Sequence, residues 1–552
     1  MPVINFNVND LLSLIGSDKK AEEVLDRVPM IGSSLDKYDS STGEASVEFF
    51  PNRPDLYSVE GVARAMRAFM DIETGMRKYE VGDSKLTLTV DESVADVRPF
   101  IVAGAVKDVT MNDALIRSLM ELQEKLHLTV GRKRSKVAIG VHDLDKVQGP
   151  FIYKAADPDS ISFVPLAKTE RMTMREILDN HEKGVDYKHL VENRPLFPVI
   201  LDKNGDVLSF PPIINGALTT VTDETKNIFI DVTGTDLHAV SGCLNIVATT
   251  IAERGGRIET VKLKGGALKV TPDMKPKVKQ MDIAYANQWL GLHMDGAEMG
   301  RWLGRMGYNV EAKAKVINVQ MPPWRMDIMH QADIVEDLAI GYGYEKFGNS
   351  PPRSQTVGGE RPQERAADLV RQLMVGYGYW EVTTLTLTSK EDLFAKMQIP
   401  EMENVVEVCN PVSEEHNCLR TSLMPSLLAV LRKSKHRELP QRIFEVGDVL
   451  LDAKRHKHIC ALSIHSKASF TEIKSVLEGF MRDVSAPFDL LPCPEGTFLP
   501  GRGAYVVYEN QTIGTFGELH PQVIVNFELG YPIVGFELDL DELVKGKADK
   551  LL

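Results

Sequence analysis

Apolar positions recur at helical spacing in some stretches of this chain and alternate at strand spacing in others. Ser17-Asp18 reads as a helix start, with Ala21, Val24 and Leu25 on one face. Val47–Phe50 reads as a strand running into Pro51-Asn52-Arg53-Pro54-Asp55. A helix from Ser58 to about Phe69 follows, with Val62, Ala63, Met66 and Met70 in register. Lys85–Val90 alternates as a strand does, and strands and turns dominate from there to residue 266. The next stretch reads strand, helix (Met281–Leu290), helix (Ala297–Met306), strand (Val316–Met321), helix (Asp333–Tyr342). After it comes an amphipathic helix bearing Ala366, Leu369, Val370, Leu373 and Met374, stopped by Gly376 and Gly378. Trp380–Thr388 then runs on as a β-branched strand.

Glycine and proline punctuate this pattern. Lys264-Gly265-Gly266 leading into Thr271-Pro272, and Gly348-Asn349-Ser350-Pro351-Pro352, both read as linkers, and a weaker break lies at Gly82-Asp83-Ser84. The expected domains are therefore 1–84, 85–266, 267–347 and 348–552, an α+β multidomain protein. A chain of 552 residues exceeds what one core supports, which agrees with several domains.

Composition excludes more than it selects. Hydrophobic residues at 43% and charged residues at 26% are ordinary for a globular protein, and no apolar run reaches the roughly 18 residues of a membrane span. The N-terminus lacks the basic start and cleavage site of a secretory signal, so a cytoplasmic location and no membrane partner are expected. Five scattered cysteines without CxxC spacing fit reduced thiols. The net charge of −14 argues against this chain as a main phosphate-neutralising surface. No phosphate loop, dinucleotide fingerprint, HExxH, GxSxG or kinase signature occurs. His456 and His458 form the one ligand-spaced histidine pair, placed by the pattern in an exposed basic turn, where they supply at most half a zinc shell.

Chemistry concentrates in two places. In Pro322–Asp327 and Asp333–Leu338, the acids Asp333, Glu336 and Asp337 stand at i, i+3 and i+4 and share a helix face, with Asp327 just before. Oxygen donors without a nearby cysteine suit a hard cation such as Mg²⁺. Acids in a first helical turn also cap free N–H groups, and local chemistry leaves both roles open. In Ser209–Asp236, Pro211 and Pro212 hold the backbone extended. Asn215 and several threonines follow, and a strand Asn227–Val232 ends in Thr233-Gly234-Thr235-Asp236.

Seven strings, in order, resemble the phenylalanyl-tRNA synthetase beta-subunit family of archaeal and eukaryotic type. They are VEFFPNRPDLYSVEGVARAM (Val47–Met66), GRKRSKVAIGVHDLD (Gly131–Asp145), SFPPIINGALTTVTDETKNIFIDVTGTD (Ser209–Asp236), MPPWRMDIMHQADIVEDLAIGYGYEKF (Met321–Phe347), and the C-terminal set CNPVSEEHNCLRTSLMPSLL, QRIFEVGDV and FLPGRGAYVVYENQTIGTFGELHP. The resemblance implies an editing module at 85–266, a small helical, winged-type domain at 267–347, and a class II synthetase-like antiparallel sheet module without an active site at 348–552. It implies Mg²⁺ at Asp327, Asp333, Glu336 and Asp337. It also implies an editing pocket that hydrolyses tyrosyl-tRNA(Phe), which we place at Leu201, Ser209, Asn215, Asp231 and Thr233. A pocket admitting phenylalanine cannot strongly reject a ring with one added hydroxyl, so a second site that hydrogen-bonds the phenol is useful.

Arg420 and Arg442 are present, but no glycine-rich string heading an arginine-bearing helix follows Gly514. Aminoacylation, with ATP as substrate, is therefore expected on an alpha subunit in an assembly of two alpha and two beta chains, and Arg420 is expected in an internal ion pair or subunit contact. Arg132, Lys133, Arg134 and Lys136 form the best basic patch for the tRNA(Phe) end, or else a solvated turn. Two other readings remain: a scaffold that assembles alpha subunits without active editing, and a stand-alone metal-dependent hydrolase using the acids near Asp333.

Overall fold

The computed structural model describes residues 2–349, 351 and 356–544. Its contacts divide the chain into two units, residues 1–350 and 351–552. Among the described residues no helix is long and apolar enough to cross a membrane.

The first unit opens with an antiparallel sheet in which Glu44–Phe49 lies between Val3–Asn7 and Ser33–Asp39. Helix Val8–Ile15 follows the first strand, capped by Asn7, whose side chain accepts from Asn9 N, and ended by Gly16 at φ 70°. The helix expected from Ser17 begins later, at Ala21, because Ser17 Oγ accepts from Lys19 N (3.2 Å) and holds a turn there. Helix Val59–Phe69 starts at Ser58, whose side chain accepts from Gly61 N (3.1 Å).

That helix carries an unusual load of buried charge. Glu60 has no exposed surface and accepts from Ser118 Oγ (2.6 Å) and Arg254 Nε (2.8 Å). Arg64 stacks over Trp324 at 4.5 Å, Arg67 pairs with Glu253, and Arg53 grips Asp55 with two bonds of 2.8 Å. The NRPD…EG.AR stretch and Arg67 just after it thus combine a local ion pair at Arg53–Asp55 with contacts to Arg254, Glu253 and Trp324 that fasten the N-terminal layer to residues far along the chain.

A mixed ten-stranded sheet follows. Val81–Val90 pairs parallel with Arg257–Lys264 and Phe151–Ala156, and the remaining pairs are antiparallel. Gly265-Gly266 turns a hairpin from Arg257–Lys264 into Val270–Thr271, where the sequence pattern had suggested a linker. Helices Asp113–Leu128 and Leu237–Ala252 share one apolar core with Ile4, Met66, Val102, Val232 and Trp324, so the first layers fold around a common interior. A three-stranded sheet of Lys277–Asp282, Val316–Met321 and Asn309–Ala312 then packs with helices Ile283–Leu290, Gly296–Arg305 and Gln331–Tyr342.

The second unit is a seven-stranded sheet in the order Trp380–Glu381, Gln441–Leu451, Lys454–Ile464, Ile533–Asp539, Gln511–Leu519, Phe498–Tyr508, Asp489–Pro492. Only the first pair is parallel. Helices Pro362–Gly376 and Phe470–Asp483 share an apolar cluster with Phe444, Phe516 and Phe536, and helix Met424–Lys433 shares another with Ile443, Leu462 and Leu519. The single strand expected over Trp380–Thr388 is two short pieces. Trp380–Glu381 joins the main sheet, and Leu387–Thr388 pairs with Cys418–Leu419. Val382 N still donates to Phe444 O (2.8 Å), but the chain then leaves the edge, and β-propensity has no partner strand to act on.

Candidate functional site

Strand alternation sets up the first site. Asp231 and Thr233 lie two residues apart on Ile228–Gly234 and share a face, opposite Gly140 and Ala138 of strand Val137–Asp143. Ser209, on strand Val207–Phe210, pairs with Asn215. These four residues line one cavity of about 360 Å³, which His127, Arg134 and Glu124 line as well. Leu201 is the exception. A register shift between Ile200 and Leu201 turns it into the apolar cluster of Phe163, Ile177 and Phe210, away from the cavity.

The polar groups here are tightly held from behind. His142, with no exposed surface, lies 2.7 Å from Asp231 Oδ2 through Nε2 and 2.8 Å from Thr219 Oγ1 through Nδ1. In the tautomer in which Nε2–H donates to the Asp231 carboxylate, Nδ1 accepts from the Thr219 hydroxyl. Arg98 donates from Nε to Thr233 Oγ1 (2.9 Å) and from Nη2 to Thr233 O (2.8 Å), which leaves the Thr233 hydroxyl proton free to donate. Burial pushes the Arg98 guanidinium down to about 10. Ser209 Oγ is buried without a partner, an arrangement that a polar ligand would complete.

Other residues lining the cavity are charged. His127 Nε2 accepts from Ile139 N (2.8 Å), so its Nδ1–H faces Glu124 Oε2 at 3.7 Å. The His127 contact, with Arg134 and Lys183 nearby, holds the Glu124 carboxyl down at about 2, while burial lowers the pKa of His127. Arg134 donates to Ile213 O (2.8 Å), pairs with Glu124 (3.2 Å) and stacks on Tyr187 at 4.6 Å. It is therefore a wall residue. Of the expected basic patch, Lys136 pairs with Asp236 (3.1 Å), and only Arg132 and Lys133 stand exposed, on a left-handed turn. Sequence reasoning missed His142, Arg98, Glu124 and His127. His142 sits in the GVHDLD string, but nothing local announces a bond to an aspartate on another strand.

The acidic cluster forms a second cavity, about 550 Å³, lined by Asp327, Asp333, Glu336 and Asp337 with Arg53 and Arg325. Arg325 takes Asp327 with both oxygens (2.8 and 2.6 Å) and Asp337 Oδ2 (2.7 Å), and Tyr308 OH also donates to Asp337. Asp333 Oδ2 accepts from Met329 N and His330 N, both at 2.7 Å, and so performs the helix-capping role. Glu336 makes no hydrogen bond or ion pair among the described residues. Its carboxyl pKa is raised by burial and by the charges of Asp337, Asp333 and Asp327. An all-oxygen donor set with uncompensated negative charge fits a hard dication held largely through water, as Mg²⁺ commonly is.

In the second unit Arg420 is buried and bonded to Glu445 (2.8 Å), Thr384 Oγ1 (2.6 Å) and Asp448 O (2.9 Å), the internal ion pair expected for it. Arg442 pairs with Glu472 at 3.5 Å. Both arginines are thus engaged by this chain's own groups.

Comparison with known proteins gives this architecture a class, that of an aminoacyl-tRNA synthetase subunit. Residues 109–261 match the B3/4 domain, residues 279–344 the tRNA synthetase B5 domain, and residues 349–540 the phenylalanyl tRNA synthetase beta chain CLM domain. The chain is 45% identical over 550 residues to a phenylalanine–tRNA ligase beta subunit of Methanosarcina acetivorans, covering 99% of this chain and 100% of the relative. It is 42% identical to those of Archaeoglobus fulgidus (98% of each chain) and Methanocaldococcus jannaschii (98% of this chain, 100% of the relative). An N-terminal fragment of the phenylalanyl-tRNA synthetase beta subunit from Pyrococcus horikoshii superposes with a TM-score of 0.60 at 40% identity, covering 62% of this chain and 99% of the fragment. The chain belongs to the phenylalanine–tRNA ligase beta-subunit family.

Proposed function

We propose that the cavity between Ser209 and Thr233 is an editing site that hydrolyses tyrosine mis-attached to tRNA(Phe). The convergence of Ser209, Asn215, Asp231 and Thr233 on one cavity of about 360 Å³, with Ser209 Oγ unpartnered, carries this reading. The volume suits one aromatic aminoacyl group better than a whole nucleotide. Ser209, Asp231 and Thr233 select the phenol by hydrogen bonds, a discrimination a purely apolar pocket lacks. A bound water attacks the ester carbonyl, and the chain supplies position rather than a nucleophile. Exposed Arg132 and Lys133 offer charge to the phosphates of the tRNA end.

Synthesis itself belongs to an alpha subunit that uses ATP, in a cytoplasmic assembly of two alpha and two beta chains. The internal pairing of Arg420 and Arg442 supports a class II-like but non-catalytic role for the second unit. Loss of the Ser209 hydroxyl or of the Thr233 hydroxyl is expected to slow deacylation of tyrosyl-tRNA(Phe) by the purified complex about tenfold, the worth of one hydrogen bond to a bound group. Phenylalanylation should be unchanged. Undiminished deacylation in both variants rejects the pocket, and no deacylation by the parent complex favours the scaffold.

Asp327, Asp333, Glu336 and Asp337 together hold Mg²⁺ beside a partner subunit in this proposal. The ion supplies charge neutralisation among crowded carboxylates. Glu336 is protonated more readily in the fold than when free, so its contribution to stability declines as pH rises above its ordinary range. Glu336→Gln should therefore raise the metal-free melting temperature at neutral pH by roughly 1–3 °C. It should also abolish any stabilisation by added Mg²⁺. A Mg²⁺ response equal in parent and variant removes Glu336 from the site.

A further inference from the structure

The histidine pair of the second unit lies elsewhere than the sequence pattern suggested. His456 and His458 are on strand Lys454–Ile464, two residues apart and so on one face of the sheet. The neighbouring strand Ile533–Asp539 runs antiparallel and sets Asp539 opposite His458. Helix Leu540–Val544 begins at once and carries Asp541. One ligand atom each from His456, Asp539 and Asp541 lie within 4.8 Å of one another, the only such group among the described residues. His456 Nδ1 is 3.3 Å and His458 Nε2 is 3.9 Å from the same oxygen, Asp539 Oδ2.

The second observation concerns His458 alone. Its Nδ1 is 2.8 Å from Glu537 Oε1. That carboxylate is buried and also accepts from Ser422 Oγ (2.6 Å), Leu423 N (2.9 Å) and Met424 N (3.0 Å). Glu537 therefore only accepts, and Nδ1 carries the imidazole proton. In the neutral ring Nε2 keeps its lone pair, and it is buried, without a hydrogen-bond partner and facing a carboxylate oxygen. Two electron-pair donors facing each other call for a positive charge between them. A histidine whose far nitrogen is anchored by a carboxylate is also the arrangement that orients imidazole toward a metal.

We propose that His456, His458, Asp539 and Asp541 form a zinc site in the C-terminal unit. Tetrahedral zinc with bonds of 2.0–2.1 Å places neighbouring donors about 3.3 Å apart. The His456–Asp539 separation of 3.3 Å matches this, and the His458–Asp539 separation of 3.9 Å has to close on binding. Two imidazoles and two carboxylates make a borderline donor set that favours Zn²⁺ over the harder Mg²⁺ or Ca²⁺. The nearest lysine does not compete, since Lys457 Nζ points to Glu364 (2.9 Å) and Asp448 (3.4 Å). Asp541 Oδ2 accepts from Lys457 N (2.8 Å), which fixes the carboxylate and leaves Oδ1 for the ion. The ion would pin the helix after Asp539 to the middle of the seven-stranded sheet.

The test uses the full chain co-purified with its alpha partner, stripped with chelator and titrated with ZnCl₂ while metal content and binding heat are read. Stoichiometric zinc is expected, with X-ray absorption showing nitrogen and oxygen neighbours, imidazole scattering and no sulfur. Asp541→Asn and His456→Gln should each weaken binding about 10–100-fold. Asp541→Asn leaves the buried Glu537 network intact, because Asp541 bonds Lys457 N and lies outside that network. No zinc retained by the parent, a sulfur-containing shell, or equal affinity in parent, Asp541→Asn and His456→Gln overturns the site and leaves a proton between His458 and Asp539.

Discussion

Replacing Arg325 with alanine is expected to cost about 3–5 kcal/mol of stability, the range for removing one partner of a buried ion pair. The Arg325 side chain is 2% exposed, and its partners Asp327 and Asp337 are 10% and 5% exposed. The substitution strands two carboxylates in a buried setting, beside Asp333 and Glu336, with Tyr308 as the main remaining donor to Asp337. The loss exceeds a packing deletion because two uncompensated charges remain, not merely a cavity. A urea unfolding series on the purified complex checks it. Added Mg²⁺ should recover part of the loss, since the ion takes over the charge that Arg325 supplied. A loss below about 1 kcal/mol would mean that solvent already screens these carboxylates.

The second large effect lies at Gly140. A methyl group there would overlap Asp231 Oδ2 and come within 2.6 Å of His142 Nε2. The two side chains whose bond aims Asp231 into the cavity would have to separate. A misplacement of about 1 Å in a positioned group can cost about 10²-fold in rate, and Gly140→Ala should lower tyrosyl-tRNA(Phe) deacylation by that order. Phenylalanylation by the same preparation should persist, and its persistence reports that the complex still assembles. Deacylation within twofold of the parent would show that Asp231 does not act in the reaction.

Both predictions depend on pairings that no local pattern displays. Helical spacing placed Asp333, Glu336 and Asp337 on one helix face. That relation follows from the fixed period of the helix, so the sequence alone determined it. The strand read over Asn227–Val232 stops one residue short of Thr233, which the structure puts on the same strand face as Asp231. The sequence also determined the order of the domains' elements and the family, because the seven strings keep their order along the chain. Leu201, placed in the pocket with the editing module the resemblance implies, instead joins an apolar cluster past a register shift that no local pattern shows. Gly265-Gly266 looked like a linker because a hairpin and a domain boundary use the same residues.

Only the tertiary structure decided which acid carries which burden. Asp333 caps its helix, Asp327 and Asp337 share Arg325, and among the described residues Glu336 is left without a hydrogen bond or ion pair. It likewise set His142 behind Asp231, 89 residues away in sequence, and brought Asp539 and Asp541 to the His456–His458 pair. Hydrogen bonds and ion pairs act over a few ångströms, and in these cases sheet pairing joined residues that local sequence leaves apart. Sequence fixes which faces exist; packing decides which faces meet.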